Sequence, residues 1–151
     1  MVKIERVTNR PDHLVFTVPL EDGKVVYMKT DLSPIYGVVI VDAEKFLELW
    51  RAEPSSIHRD QSHGNINTWK KDEKYPNAEG GFSLGYGDPV PLAEIGFWPT
   101  VPCISLVNGV TRTIWLLSKG CKSFPVCCAI KEAADLFREV GSSGTELITR
   151  K

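Results

Sequence analysis

Ser105-Leu106-Val107-Asn108-Gly109-Val110-Thr111-Arg112-Thr113 is the run on which the fold turns. A strand ends in an Asn-Gly turn, and a helix begins behind it with Ile114, Trp115, Leu116 and Leu117 as its apolar residues. The first amides of a helix have no partner inside it and sit at the positive end of its dipole, so they attract anions. Gly109 lets a backbone approach closely, and Arg112 adds a planar two-pronged donor suited to phosphate or carboxylate. The competing reading is an ordinary strand-to-helix turn with Thr111 near the cap and Arg112 solvated.

Working outward toward the C-terminus, residues 101–107 read as a strand, 109–119 as a helix and 124–130 as a second strand, a βαβ order. Residues 131–140 follow as an amphipathic helix with Ala134, Leu136 and Phe137 on its apolar side, stopped at Gly141. The polar tail beyond Gly141 is expected to fray.

Toward the N-terminus, residues 52–102 shift to Gly, Pro, Asn, Asp, Trp and Tyr with little periodicity beyond a short helix or turn at Leu92-Ala93-Glu94-Ile95. Such a stretch predicts a loop-rich lobe over 52–100, kept ordered by Trp69, Tyr75, Phe82, Tyr86, Phe97 and Trp98. Before it, Asp42 caps a helix whose Phe46, Leu47 and Trp50 share a face and which Pro54 ends. The continuous apolar run at 36–41 predicts a strand buried on both faces, as central strands are. Residues 13–18 and 24–28 predict a hairpin across Pro19-Leu20-Glu21-Asp22-Gly23. The expected fold is a single α/β (α+β) domain over 1–151, a mixed sheet flanked by helices with a loop-rich insertion.

Composition narrows the function. The 151 residues are 42% hydrophobic, enough for one real core, and the net charge of −1 carries no footprint of a dedicated nucleic-acid binder. The N-terminus mixes charged and apolar residues without a leader's apolar run, which predicts a cytoplasmic location. No apolar run approaches the ~18 residues of a membrane span. Cysteines 103, 121, 127 and 128 lack metal-knuckle spacing and predict reduced, mostly buried thiols, with a reactive Cys103 or Cys121 as the alternative.

Other patterns compete. His58-Arg59-Asp60-Gln61-Ser62-His63-Gly64-Asn65 matches the catalytic loop of protein kinases, but no glycine-rich loop, strand lysine or Asp-Phe-Gly accompanies it. A loop hydrogen-bond cluster accounts for it better, although Arg59 and Asp60 could line one cleft with Arg112. His58, His63 and Asp60 are too few for a convincing metal site, so no metal ligand is assigned. Asp72, Glu73, Asp88 and Glu94 are candidate magnesium-holding or acid/base carboxylates, and nothing in the sequence selects one. The aromatic lobe suits a satellite core or a protein-binding hot spot, and Lys70, Lys71 and Lys74 beside Trp69 and Tyr75 would suit single-stranded nucleic acid.

The longer run from Pro102 to Cys128, with its turn arginine, Gly120 and the Pro125-Val126 strand start, resembles the ParB/sulfiredoxin superfamily. There the turn and its arginine hold nucleotide phosphates, which implies Asn108, Gly109, Thr111, Arg112 and Thr113 as the phosphate or nucleotide site and Arg112 as the catalytic candidate. Val110 stands where sulfiredoxins place their cysteine and Thr111 where the usual histidine falls, so sulfiredoxin chemistry is not implied. Within the superfamily the chain is similar to plasmid fertility-inhibition factors. The residues behind that are Tyr36-Gly37-Val38-Val39, Trp50, Trp69 with Lys74-Tyr75, Gly81-Phe82-Ser83, the run from Asp88 to Ala93, and Asn108 to Leu117.

That resemblance implies an inhibitor of conjugative plasmid or T-DNA transfer, acting on the coupling ATPase of the type IV secretion machinery or on the transferring DNA. The alternative it implies is a nucleotide-dependent enzyme, an ATPase or DNase using ATP and Mg2+ at the Arg112 turn. An antirestriction factor is the remote third reading, and such nucleic-acid mimics are usually more acidic.

Overall fold

A computed structural model describes residues 1–54 and 57–150. Two four-stranded sheets form the frame. The first is built from β1 (Lys3–Val7), β2 (Arg10–Pro19), β3 (Val25–Asp31) and the short β5 (Val90–Pro91), in that spatial order. β2 and β3 make the expected hairpin, in which Phe16 lies opposite Met28 and Val18 opposite Val26, so four buried side chains share one face. β1 gave no sequence signal because it is an edge strand whose Lys3, Ile4, Glu5 and Arg6 are all exposed.

The second sheet holds the candidate site. Its order is β4 (Tyr36–Asp42), β8 (Ser123–Ala129), β6 (Ala93–Trp98), β7 (Cys103–Asn108). Asp42 caps α1 (Ala43–Arg51), its carboxylate accepting from the Lys45 amide at 3.0 Å. Phe46 of that helix meets Phe124 edge-on at 5.3 Å. α6 (Ile130–Val140) lies against β4 closely enough that a methyl on Gly37 would come within 2.9 Å of the Ala133 Cβ.

Several expectations need correction. The stretch expected to be loop-rich carries α2 (Arg59–Ser62), α3 (Ile66–Lys70), α4 (Tyr75–Ser83) and a 3-10 turn at Gly85–Gly87. Asn65 caps α3 in a reciprocal capping box with Thr68, a start signal obscured by the glycines and prolines around it. Leu92 to Ile95 is no helix: Ala93, Ile95 and Phe97 alternate inward as β6, in the interior of the sheet.

The βαβ reading fails for the same reason. β6 runs antiparallel to β7 and parallel to β8, so the strands joined by α5 (Val110–Ser118) are antiparallel with β6 between them. β4 is buried but lies at the sheet's end, because the tail covers it. Val38 and Ile148 exchange backbone hydrogen bonds at 2.9 and 3.0 Å, and the Ser142 amide donates to the Ile40 carbonyl, so the tail is anchored rather than frayed. On α6 the buried small residue is Ala133, and Ala134 faces outward.

Candidate functional site

Gly109 is the N-cap of α5 and adopts φ +99°, the left-handed region where a side chain is strained. A Cβ there would meet the Ala93 Cβ at 2.9 Å and an Arg112 terminal nitrogen at 3.1 Å, so the turn is pressed directly onto the start of β6. Inside the turn, the Thr113 amide and hydroxyl both donate to the Gly109 carbonyl, at 3.0 and 2.8 Å. No acidic residue occupies the first turn of α5, and among the described residues the amides of Val110, Thr111 and Arg112 meet no acceptor.

Arg112 folds back over this turn. One terminal nitrogen donates to the Leu92 carbonyl at 3.0 Å, and among the described residues the guanidinium has no carboxylate within ion-pair distance. Burial lowers its pKa from the ordinary arginine value, and the nearby Cys127 offsets part of that. A guanidinium keeps its charge through any such shift, so a half-buried cation remains without an anion.

Three residues that the sequence did not bring together meet beside this turn. Glu94 lies beside Cys127 in the β6–β8 pairing and opposite Asn108 in the β6–β7 pairing, so the strands set it next to the turn. The Tyr36 hydroxyl donates to the Glu94 carboxylate at 3.5 Å. The Cys127 thiol donates to the Ala93 carbonyl at 3.5 Å, and its pKa is pushed up to about 11 by burial and then by Glu94, with Arg112 working the other way. At neutral pH Cys127 is a protonated thiol and no nucleophile.

Of the four candidate carboxylates, Glu94 is thus the one the strands set next to the turn, beside Cys127 and opposite Asn108. Asp72 accepts from Gln61 and from the Lys74 amide, Asp88 pairs with Lys29 at 4.0 Å, and Glu73 faces solvent. Within the turn itself, Asn108 is exposed, Gly109, Thr111 and Arg112 are half-buried, and Thr113 is fully buried with its hydroxyl committed to the helix start.

The other patterns find structural roles. Arg51 donates to the carbonyls of Ser62 and Gly64, the Trp69 indole to that of Gln61, and Asn65 is the α3 cap, so the kinase-like run is a local scaffold. Trp69, Tyr75, Phe82 and Phe97 are core residues, with Phe82 stacked on Trp115 at 4.3 Å. That removes Trp69 and Tyr75 as platforms for bases and leaves Tyr86 and Trp98 as the exposed members of the set. Burial raises the thiol pKa at every cysteine, to about 12 at Cys121 and Cys128. Among the described residues no three His, Cys, Asp or Glu side chains converge as a metal site, and no helix is long and apolar enough to cross a membrane.

Fold and site together define an α+β domain that presents an open helix start and an unpaired arginine at the lip of its second sheet. The chain belongs to the plasmid fertility inhibition factor family, whose model matches residues 38–141. Protein osa of Shigella flexneri is 26% identical over 138 residues, covering 88% of this chain and 71% of that protein. A solved structure described as oncogenic suppression activity protein, a plasmid fertility inhibition factor, in its gold(I) cyanide derivative, matches with a TM-score of 0.80. It covers 97% of this chain and 78% of that one at 24% identity, a likeness of fold.

Proposed function

We propose that this protein blocks conjugative plasmid or T-DNA transfer by engaging the coupling ATPase of the type IV secretion machinery, or the DNA it moves, through the turn at Arg112. Family membership over residues 38–141 supports the inhibitory role. The unpaired, half-buried Arg112 guanidinium beside unbonded helix-start amides supports the choice of surface, because an incoming phosphate or carboxylate would supply the missing anion. Asn108, Gly109 and Thr111 would add contacts along the same turn, while Thr113 holds the turn's shape. The test is a binding titration with the purified cytosolic domain of a conjugative coupling ATPase and with labelled DNA. Arg112→Ala should weaken the productive complex at least tenfold. No complex with either, together with unaltered plasmid transfer on expression, would defeat the proposal.

The position of Glu94 favours a second reading, a nucleotide-dependent ATPase or DNase. Arg112 would hold a phosphate, and Glu94 would orient or deprotonate the attacking water. A protein-built magnesium site does not fit this turn, since among the described residues Glu94 is its one carboxylate. ATP turnover that falls in both Arg112→Ala and Glu94→Gln would support this reading, and turnover indistinguishable from blank would end it.

A further inference from the structure

β7 is the outermost strand of the second sheet. In an antiparallel strand, alternate residues turn their N–H and C=O groups away from the partner, and among the described residues no backbone group of 103–107 is bonded outside the β6 ladder. Beside this open edge lies a cavity of about 460 Å³, within the size range of real ligand sites. Its lining includes Cys103, Ser105, Trp98, Val101 and Ile57, with Glu53 and His58 as its charged or titratable members. Ile57, Trp98 and Val101 are 91%, 58% and 54% exposed, large apolar groups gathered at one place. Gly96, opposite Ser105 in the ladder, keeps the sheet face open there, since a Cβ at that position would come within 2.8 Å of the Ser105 hydroxyl.

We propose that the open edge of β7 and the adjoining cavity bind an extended peptide segment of a partner protein by strand addition. One bulky apolar side chain enters the cavity between Trp98 and Val101, and a lysine or arginine of the segment meets Glu53. The edge demands a strand, because only a strand supplies donors and acceptors at matching intervals. A second copy of this chain fits less well. Pairing two β7 edges brings Cys103, Ser105 and Val107 to the facing side but no basic side chain, since β7 holds none. Charge points the same way: among the described residues Glu53 has no ion pair, so a basic group on the segment would give its carboxylate a partner in this cavity. This surface does not use the Arg112 guanidinium and stands apart from the phosphate reading.

The probes are labelled eight-residue peptides alternating threonine with valine or phenylalanine and ending in lysine, each with a twin N-methylated at alternate amides. Titrated by anisotropy against the full chain, the unmethylated peptides should bind saturably and the twins at least tenfold more weakly. Val101→Asp and Trp98→Ser change exposed side chains, so they should keep the native melting temperature and lose at least tenfold in affinity. Nitrogen-edited spectra should place the shifted amides at 103–107, and Arg112→Ala should bind the peptides like the native chain. Failure of every peptide to bind, equal binding of the twins, loss in Arg112→Ala, or self-association of the chain through β7 would each overturn the proposal.

Discussion

Gly109 and Arg112 shape the candidate site between them, and each makes a sharp prediction. Gly109→Ala puts a methyl against Ala93 in a left-handed turn and should cost about 2 kcal/mol, read as a lower urea midpoint. Gly80→Ala is the contrast. It lies within α4 with open space around it, and the substitution should stabilise the fold by up to about 1 kcal/mol in the same measurement. Arg112→Ala removes one hydrogen bond to the Leu92 carbonyl but also relieves a desolvated charge, so stability should fall by less than about 2 kcal/mol. Any larger functional loss then belongs to the missing cation. Both residues were legible in the sequence because an Asn-Gly turn ahead of a helix is a local signal. The meeting of Glu94 with Tyr36 was not: the two stand 58 positions apart and are brought together by strand pairing, which leaves no trace in spacing.

At the scale of elements, what could be read depended on how many faces were buried. β4, buried over 37–41, and α1, capped by Asp42, announced themselves. β6 did not, although its alternation of Ala93, Ile95 and Phe97 was present, because the glycines and prolines before it suggested a continuing loop. The tail misled in the opposite sense. Its polar composition suggested fraying, whereas Ile148 and Ser142 pair with β4 through backbone groups, which composition does not encode. Removing residues 142–151 should therefore expose the β4 edge. The expected result is a melting temperature several degrees lower and concentration-dependent aggregation, and an unchanged melting curve would contradict the anchoring role.

Across the whole molecule, the buried thiols link stability to pH. Folding raises the pKa of Cys127 to about 11 and of Cys121 and Cys128 to about 12, above the ordinary value near 9. The unfolded chain therefore releases these protons first as pH rises. Their contribution is complete below about pH 9 and is lost through pH 11 to 12, so the denaturant midpoint should fall across that window. Replacing all four cysteines with alanine or serine should flatten the slope. At pH 8 the native thiols should react slowly with a disulfide reagent and quickly once the chain is unfolded.

The second sheet brings the Arg112 turn, Glu94 and Tyr36 together at one lip of the fold, and the proposed function places the block on transfer at this lip. Plasmid transfer frequency between mating cells measures that directly, with native protein, Arg112→Ala and Gly80→Ala expressed to equal, folded levels. Native protein and Gly80→Ala should depress transfer alike, and Arg112→Ala should restore it toward the level without inhibitor. Full inhibition by Arg112→Ala would contradict the account.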